Sequence, residues 1–221
     1  NRLFEWNNYL FVLRDFGISR ISSWNAKDDF VFRNIYSSTS RIYEKTCVLC
    51  EDCMLFLCED GIYCFDGTDV QKVDLKIDSY FDGIDNKNAV ATYHGGKYYL
   101  ACKLNFGDNN QIGCETQAHK NNALIEYDLK TKQIQILRGV DIKLLLTLKA
   151  KSFSKVVCAL NTTEHKNKIC EITTTGEVLG VSTTKYWQSP TTDLSLPSKQ
   201  KILNEIYLTS SNDLTLVVKT E

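Results

Sequence analysis

A polar pair, a run of five apolar residues, a short polar step and a Gly-Ile dipeptide recur along this chain at a fixed interval. In residues 49–67, LCEDCMLFLCEDGIYCFDG, the pair is Glu51-Asp52, the run is 53–57 and the dipeptide is Gly61-Ile62. Moved back by 44 residues, the pattern lies on EWNNYLFVLRDFGISRISS, with Asn7-Asn8, 9–13 and Gly17-Ile18 in the same places. Moved forward by 44, Gly95-Gly96 replaces the polar pair and KYYLAC follows. A weaker fourth copy starts at Ser154-Lys155 and continues VVCALN, off the interval. Short strands repeated at a period of about 40–50 residues are the mark of propeller blades. The pattern therefore predicts an all-β chain of propeller-like repeats, each a four-stranded antiparallel blade.

Strand by strand, the first copy predicts strands at 9–13, 18–21 and 30–35, with a turn at 15–17 where Gly17 supplies a positive φ. The second predicts strands at 46–49, 53–57, 62–65 and 70–75, the last two joined by the Asp66-Gly67 turn. The third pairs 89–93 with 98–102 and 123–128 with 133–137, interrupted by a polar insertion at 104–122. Long loops on rigid scaffolds often carry function, so this insertion is the loop to watch, with packing on a neighbouring subunit as its other reading. The fourth copy spans 140–181, where Leu144-Leu145-Leu146 would suit a helix by composition but a strand by place in the repeat. From Tyr186 the character changes: both prolines, Pro190 and Pro197, fall there. Residues 201–209 and 214–218 read as a hairpin turning at 211–213. The expected division is 1–185, about four blades, then 186–221, a junction and the first hairpin of a further β element that is cut short.

Composition narrows the function. With 26 basic and 27 acidic residues the net charge is -1, and no basic stripe argues for sequence-specific nucleic-acid binding. The longest apolar runs, 53–58 and 144–148, are too short to span a bilayer. The chain begins at Asn1 with neither an initiating Met nor a signal peptide, which reads as a piece of a longer polypeptide. Nine cysteines, an odd number without a secretory leader, predict free thiols and cytoplasmic assembly. The sequon Asn161-Thr162-Thr163 carries no weight outside a secreted chain.

Candidate chemistry is thin. Cys47, Cys50 and Cys53 have the C-x2-C spacing of zinc ligands, with Cys58 and Cys64 nearby. Residues three apart on a strand face opposite ways, so Cys47 and Cys50 diverge, while a turn at Glu51-Asp52 would bring Cys50 to Cys53. No second ligand pair follows, and no metal or cofactor is expected. His94, His119 and His165 lie in predicted loops, and Cys114, Glu115 and His119 form an incomplete ligand set. Asp60, Asp66, Asp82 and Asp85 could line a mouth as acid/base pairs, but aspartate in glycine-containing turns is ordinary turn chemistry. Trp6, Tyr9, Phe11, Tyr98 and Tyr99 are expected to pack between blades. No nucleophile elbow, zincin, P-loop or dinucleotide motif occurs, so no catalytic residue is assigned.

The phrases EWNNYLFVLRDFGISRI, CEDGIYCFDG, AVATYHGGKYYLAC and NNALIEYDLKTKQIQIL resemble blades of the β-propeller tail proteins of tailed bacteriophages. The closing segment, WQSPTTDLSLPSKQKILNEIYLTSSNDLTLVV, resembles the junction where such proteins leave the propeller, through Trp187, Ser189, Pro190, Asp193 and residues 201–208. The resemblance implies a non-enzymatic virion component near the head–tail junction or tail tip, similar to nozzle or stabilisation proteins. It implies a homo-oligomeric ring with other virion proteins as partners, transient passage of DNA, and assembly in the host cytoplasm. The cysteine richness and the abrupt end depart from that family. Two other classes compete: a cellular propeller that binds a peptide or carbohydrate at its mouth, and a propeller hydrolase or lyase.

Overall fold

The polar pair of the repeat is the first hairpin turn of a sheet. Asn7 and Asn8 both adopt positive φ, 49° and 62°, and Gly95 and Gly96 do the same at 58° and 80°. Two successive left-handed residues make the tight turn whose twist suits antiparallel strands. Between them in the series, Cys50 N–H donates to Cys53 O at 2.8 Å across Glu51-Asp52.

The computed structural model describes residues 2–23, 29–73, 77–106, 119–161 and 168–173, with 177–178, 181–182, 207, 213 and 215–217. The chain divides into two compact units, Asn1–Val181 and Ser182–Glu221. The first unit holds β1 (Arg2–Trp6), β2 (Tyr9–Arg14), β3 (Gly17–Ser23) and β4 (Phe30–Ser37). There follow β5 (Val48–Leu49), β6 (Met54–Cys58), β7 (Gly61–Phe65) and β8 (Val70–Lys72), then β9 (Val90–His94), β10 (Lys97–Cys102), β11 (Ala123–Asp128) and β12 (Ile134–Arg138). β13 (Ile142–Lys149), β14 (Ser154–Leu160) and β15 (Ile169–Glu171) complete the series, before the two-residue strands β16 (Glu177–Val178) and β17 (Val181–Ser182). The fold is all-β: β1–β4, β5–β8, β9–β12 and β13–β15 form four separate sheets, each paired in chain order. Every ladder within them is antiparallel.

The even repeat length decides how these sheets pack. A shift of 44 residues keeps each position on the same face of its strand, and the three apolar clusters follow that parity. Phe11, Leu13 and Ile18 of the first sheet meet Met54, Phe56 and Cys58 of the second. Leu55, Leu57 and Ile62, on the second sheet's other face, meet Tyr98, Leu100, Cys102 and Ile125 of the third. Tyr99, Ala101 and Leu124 then meet Val156, Cys158 and Leu160 of the fourth. Phe11, Leu55 and Tyr99 thus all face the following sheet, whereas Met54 and Tyr98 face the preceding one. The second and third sheets bury both faces, so all of β6 and residues 98–102 of β10 are buried. Each large apolar side chain buried there stabilises the stack by roughly 1.5–3 kcal/mol.

Several expectations change. The first sheet has a strand, β1, beyond the three predicted. Thr46 is not in a strand: it ends a short 3-10 turn, Glu44–Thr46. Its hydroxyl donates to Tyr43 O at 2.6 Å and accepts Leu57 N–H at 2.8 Å, so it bridges to β6 from outside the ladder. Gly17 does not supply a positive φ; a Cβ there would lie 2.5 Å from Tyr36 O, so close backbone approach is what requires glycine. Leu144, Leu145 and Leu146 are strand residues of β13. In the fourth sheet the turn is at 150–153, with Ala150 N–H donating to Phe153 O, and Ser154-Lys155 already belongs to β14. Ser154 therefore takes the place of Met54 and Val156 that of Phe56, three residues on from Cys53, with which the polar pair aligned it.

The junction residues Trp187, Ser189, Pro190 and Asp193, and all of the C-terminal hairpin except Tyr207, Asp213 and residues 215–217, lie outside the described residues. So do Cys114, Glu115, His165, Thr162, Thr163 and residues 107–118 of the insertion.

Candidate functional site

The second and third strands of the first two sheets are joined at Asp15-Phe16 and Glu59-Asp60. In the third sheet the same joint, between β10 and β11, carries the insertion 104–122. One side chain joins the two ends of its base. Asn122 Oδ1 accepts Leu104 N–H at 2.8 Å and Asn122 Nδ2 donates to Leu104 O at 2.9 Å, with both residues buried. An amide side chain carries a donor and an acceptor together, so it can mimic a backbone partner where the ladder has opened.

A second buried network lies beside it. Asn121 Nδ2 donates to Asn88 O at 3.0 Å and Ile142 O at 2.6 Å, and Asn121 N–H donates to Asp141 Oδ1 at 3.1 Å. Asp141 Oδ2 accepts Asn161 Nδ2 at 3.0 Å, while Asn86 Oδ1 accepts Lys103 N–H at 2.8 Å. These residues tie the base of the insertion to the link entering the third sheet and to the edge of the fourth. Sequence reasoning missed them; the one signal was the Asn121-Asn122 pair directly before a strand.

Against this base is an open groove of about 360 Å³ that includes Asp85, Lys87, Lys103, His119 and Lys120 in its lining. His119 is half-buried, and its Nδ1 has no hydrogen-bond partner among the described residues. The rest of its suggested ligand set, Cys114 and Glu115, is outside the described residues. His94 ends β9, where its Nδ1 lies 3.2 Å from Ser154 Oγ.

The cysteines are divided by strand alternation, as their spacing required. Cys47 and Cys58 pack between the first and second sheets, and Cys50, Cys53 and Cys64 between the second and third. Among the described residues no group of three or more His, Cys, Asp or Glu side chains is placed to hold a metal ion. All eight described cysteines are free. Burial pushes the Cys47 thiol up to about 12 and that of Cys158 to about 11. A hydrogen bond with Cys50, together with burial, raises Cys53 to about 11, and burial alone raises Cys102. Such thiols stay protonated at neutral pH, when they are neither good nucleophiles nor good ligands.

The four aspartates named from the sequence do not converge. Asp66 accepts the amides of Thr68 and Asp69, each at 2.8 Å, and caps its own turn. Asp85 accepts Lys87 N–H at 3.1 Å, and Asp82 is exposed. Asp60 does have a neighbour that sequence reasoning overlooked: Lys72 Nζ stands 3.3 Å from Asp60 Oδ2 and 3.0 Å from Asp78 Oδ2. Tyr63 donates to the same Asp60 oxygen at 2.7 Å. Burial alone would raise the Asp60 carboxyl, but Tyr63 and Lys72 outweigh it and hold it below the ordinary range. A carboxylate held ionised by a fixed cation is a structural bridge, not a proton donor at neutral pH.

The aromatic residues serve the sheet junctions. Phe11 and Phe65 meet edge to face at 5.3 Å, Trp6 meets Phe65 at 5.7 Å, and Phe4 stacks on Phe11 at 5.2 Å. Tyr98 is fully buried, and its hydroxyl donates to Thr46 O at 2.8 Å, locking the third sheet to the loop before the second. Tyr9 is partly exposed, with the Arg20 guanidinium 4.3 Å above its ring.

No protein-family profile and no curated protein sequence matches the chain. Among the described residues no helix is long and apolar enough to cross a membrane.

Proposed function

We propose that the four sheets are consecutive blades of a β-propeller whose work is structural and non-enzymatic, in the tail of a bacteriophage or prophage. The observation that carries the blade reading is positional. At an interval of 44 residues, Phe11, Leu55 and Tyr99 each face the next sheet, and each of the first three sheets is a four-stranded meander. Meandering sheets stacked face to face in chain order are what a propeller is made of. A structural role is supported by where polar chemistry goes: Asn86, Asn121, Asn122 and Asp141 fasten loops, and Lys72 of β8 bridges Asp60 in the turn before β7 to Asp78 in the link after β8.

Placement in a tail, near the head–tail junction or nozzle, rests on the resemblance of the blade phrases and the closing segment. Near-neutral charge suits a channel wall that DNA must slide past, because each lysine or arginine bound to phosphate would hold it. The test has two parts. Electron-microscopic averages of the purified protein should show sheets arranged radially, and a straight stack would reject the blade reading. Antibodies against the chain should decorate the tails of particles released from a lysogen that carries its gene; particles left bare would reject the virion reading.

A further inference from the structure

Among the described residues, the first and the fourth sheet each expose large apolar side chains on one face, and in a directional way. On the first sheet the outward positions include Leu3, Leu10, Ile21, Phe30 and Phe32, linked by the cross-strand register Leu10–Ile21–Phe32. Phe30 is 67% exposed, Phe32 59% and Leu3 62%. On the fourth sheet they include Leu144, Leu146, Leu148, Val157 and Ile169, with Leu146 opposite Val157. Leu144 is 56% exposed, Leu146 54% and Ile169 76%. Contiguous apolar faces of this kind mark interaction surfaces.

Their positions in the repeat say which face each one needs. Leu10 stands where Met54 and Tyr98 stand in the next two sheets, and Val12 where Phe56 and Leu100 stand. Those four residues are buried against the preceding sheet. The free face of the first sheet is therefore one that receives a preceding sheet. On the fourth sheet Val156 and Cys158 already face backward into the third. Its free face, carrying Leu146 and Val157, is the one that elsewhere receives a following sheet. The two free faces differ in kind, and each is the complement of the other.

We propose that the outward face of the fourth sheet docks on the outward face of the first sheet of a second copy of this chain. The contact repeats the three junctions already inside the unit. It is head to tail rather than two-fold at the interface, so each copy uses both faces. Two copies bring twice four sheets, within the range of roughly four to eight blades that propellers close with, so a closed dimer is the expected state. This step rests on the blade reading. Among the observations, the continuity of the stack is what selects a second copy over an unrelated partner.

The test is the mass of the full chain in solution, by light scattering and sedimentation, for the natural sequence, Phe32→Lys and Leu146→Glu. Both substitutions are at exposed positions, and unchanged far-ultraviolet circular dichroism would certify the fold. The natural chain should run at about twice its 25.2 kDa. Either variant alone should associate on the order of 100-fold more weakly, because it sets an unpaired charge in an apolar contact. Mixing the two variants should restore the dimer, since one junction is then unaltered and the other faces lysine with glutamate. A natural chain that stays monomeric at tens of micromolar would overturn the second copy. So would dissociation by only one of the variants, which would mean that a face meets itself or another segment, or a dimer that both variants leave intact. Microscopy separates this failure from that of the blade reading. Monomers with radially arranged sheets would leave the blades and remove the dimer; copies joined in straight stacks would do the reverse.

Discussion

Replacing Asn122 by alanine removes the pair of side-chain hydrogen bonds that closes the base of the insertion on Leu104. The side chain makes two, at 2.8 and 2.9 Å, to the amide and carbonyl of Leu104. Leu104 is buried at 2% exposure, so neither backbone group has direct access to water. A typical hydrogen bond contributes about 0.5–1.5 kcal/mol net, and a buried group left without a partner costs about 1–3 kcal/mol. Two groups are stranded, and water entering the space vacated by the amide offsets part of the loss. The expected destabilisation is therefore about 2–4 kcal/mol, equivalent to a fall in Tm of roughly 4–16 °C for a domain of this size. Urea unfolding followed by circular dichroism measures it, with the slope expected to match the parent. Hydrogen exchange should show the Leu104 amide losing protection. Asn122→Asp should do no better, because it keeps an acceptor for Leu104 N–H but turns a carboxylate oxygen toward Leu104 O. A change under about 0.5 kcal/mol for Asn122→Ala, with Leu104 still protected, would refute the clamp.

Other expectations follow from single contacts. Phe56→Ala opens a cavity between the first and second sheets, where Phe56 is wholly buried, and should cost about 3–5 kcal/mol in the same unfolding assay. Gly67→Ala should cost roughly 1–2 kcal/mol, since Gly67 has φ +98° and a Cβ there would stand 3.1 Å from the Trp6 ring; Trp6 fluorescence should shift with it. The folded-state carboxyl of Asp60 lies below its ordinary value of about 3.9, so its contribution is present above that pH and is lost as pH falls through the folded value. Asp60→Asn should flatten the acid side of the stability profile as pH falls below the ordinary carboxylate value, and a parallel profile would contradict the Tyr63–Lys72 arrangement. Native protein at pH 7.5 should leave Cys47 and Cys102 unreactive toward a disulfide reagent until urea exposes them, because burial keeps both thiols protonated.

Hairpins and facing were readable in the amino-acid order because both are local. Asn7-Asn8 and Gly95-Gly96 announce turns that demand positive φ, and alternation alone separates Cys47 from Cys50. The strand β1 was harder to read. Its inward residues Phe4 and Trp6 are aromatic, but Arg2 and Glu5 break the apolar run, and pairing with β2 is what organises it. Thr46 misled for a different reason. It has the β-branched shape of a strand residue, and its fate was settled by a hydroxyl that reaches Leu57, eleven positions along. The Asn122–Leu104 clamp spans eighteen positions, and the Asp60–Lys72–Asp78 bridge spans eighteen as well. Contacts of that kind depend on where the sheets bring loops together, which no local pattern records. Glycine at position 17 was expected for the right place and the wrong cause, since crowding by Tyr36 O leaves no trace in neighbouring residues.

The order of the strands also bears on how the chain is made. Each of the four sheets is drawn from one contiguous stretch, so a sheet can close as soon as its own residues leave the ribosome, with hairpins forming in about 1–10 μs. At about 5–20 residues per second, the next 44-residue unit follows roughly 2–9 s later. During that interval the newest sheet has only its rear face covered, and a forward face like that of Leu55 and Leu57 stands bare. A nascent chain stalled between Phe65 and Tyr98 should therefore be the species that chaperones hold most tightly, and release should coincide with the arrival of Tyr98, Leu100 and Cys102.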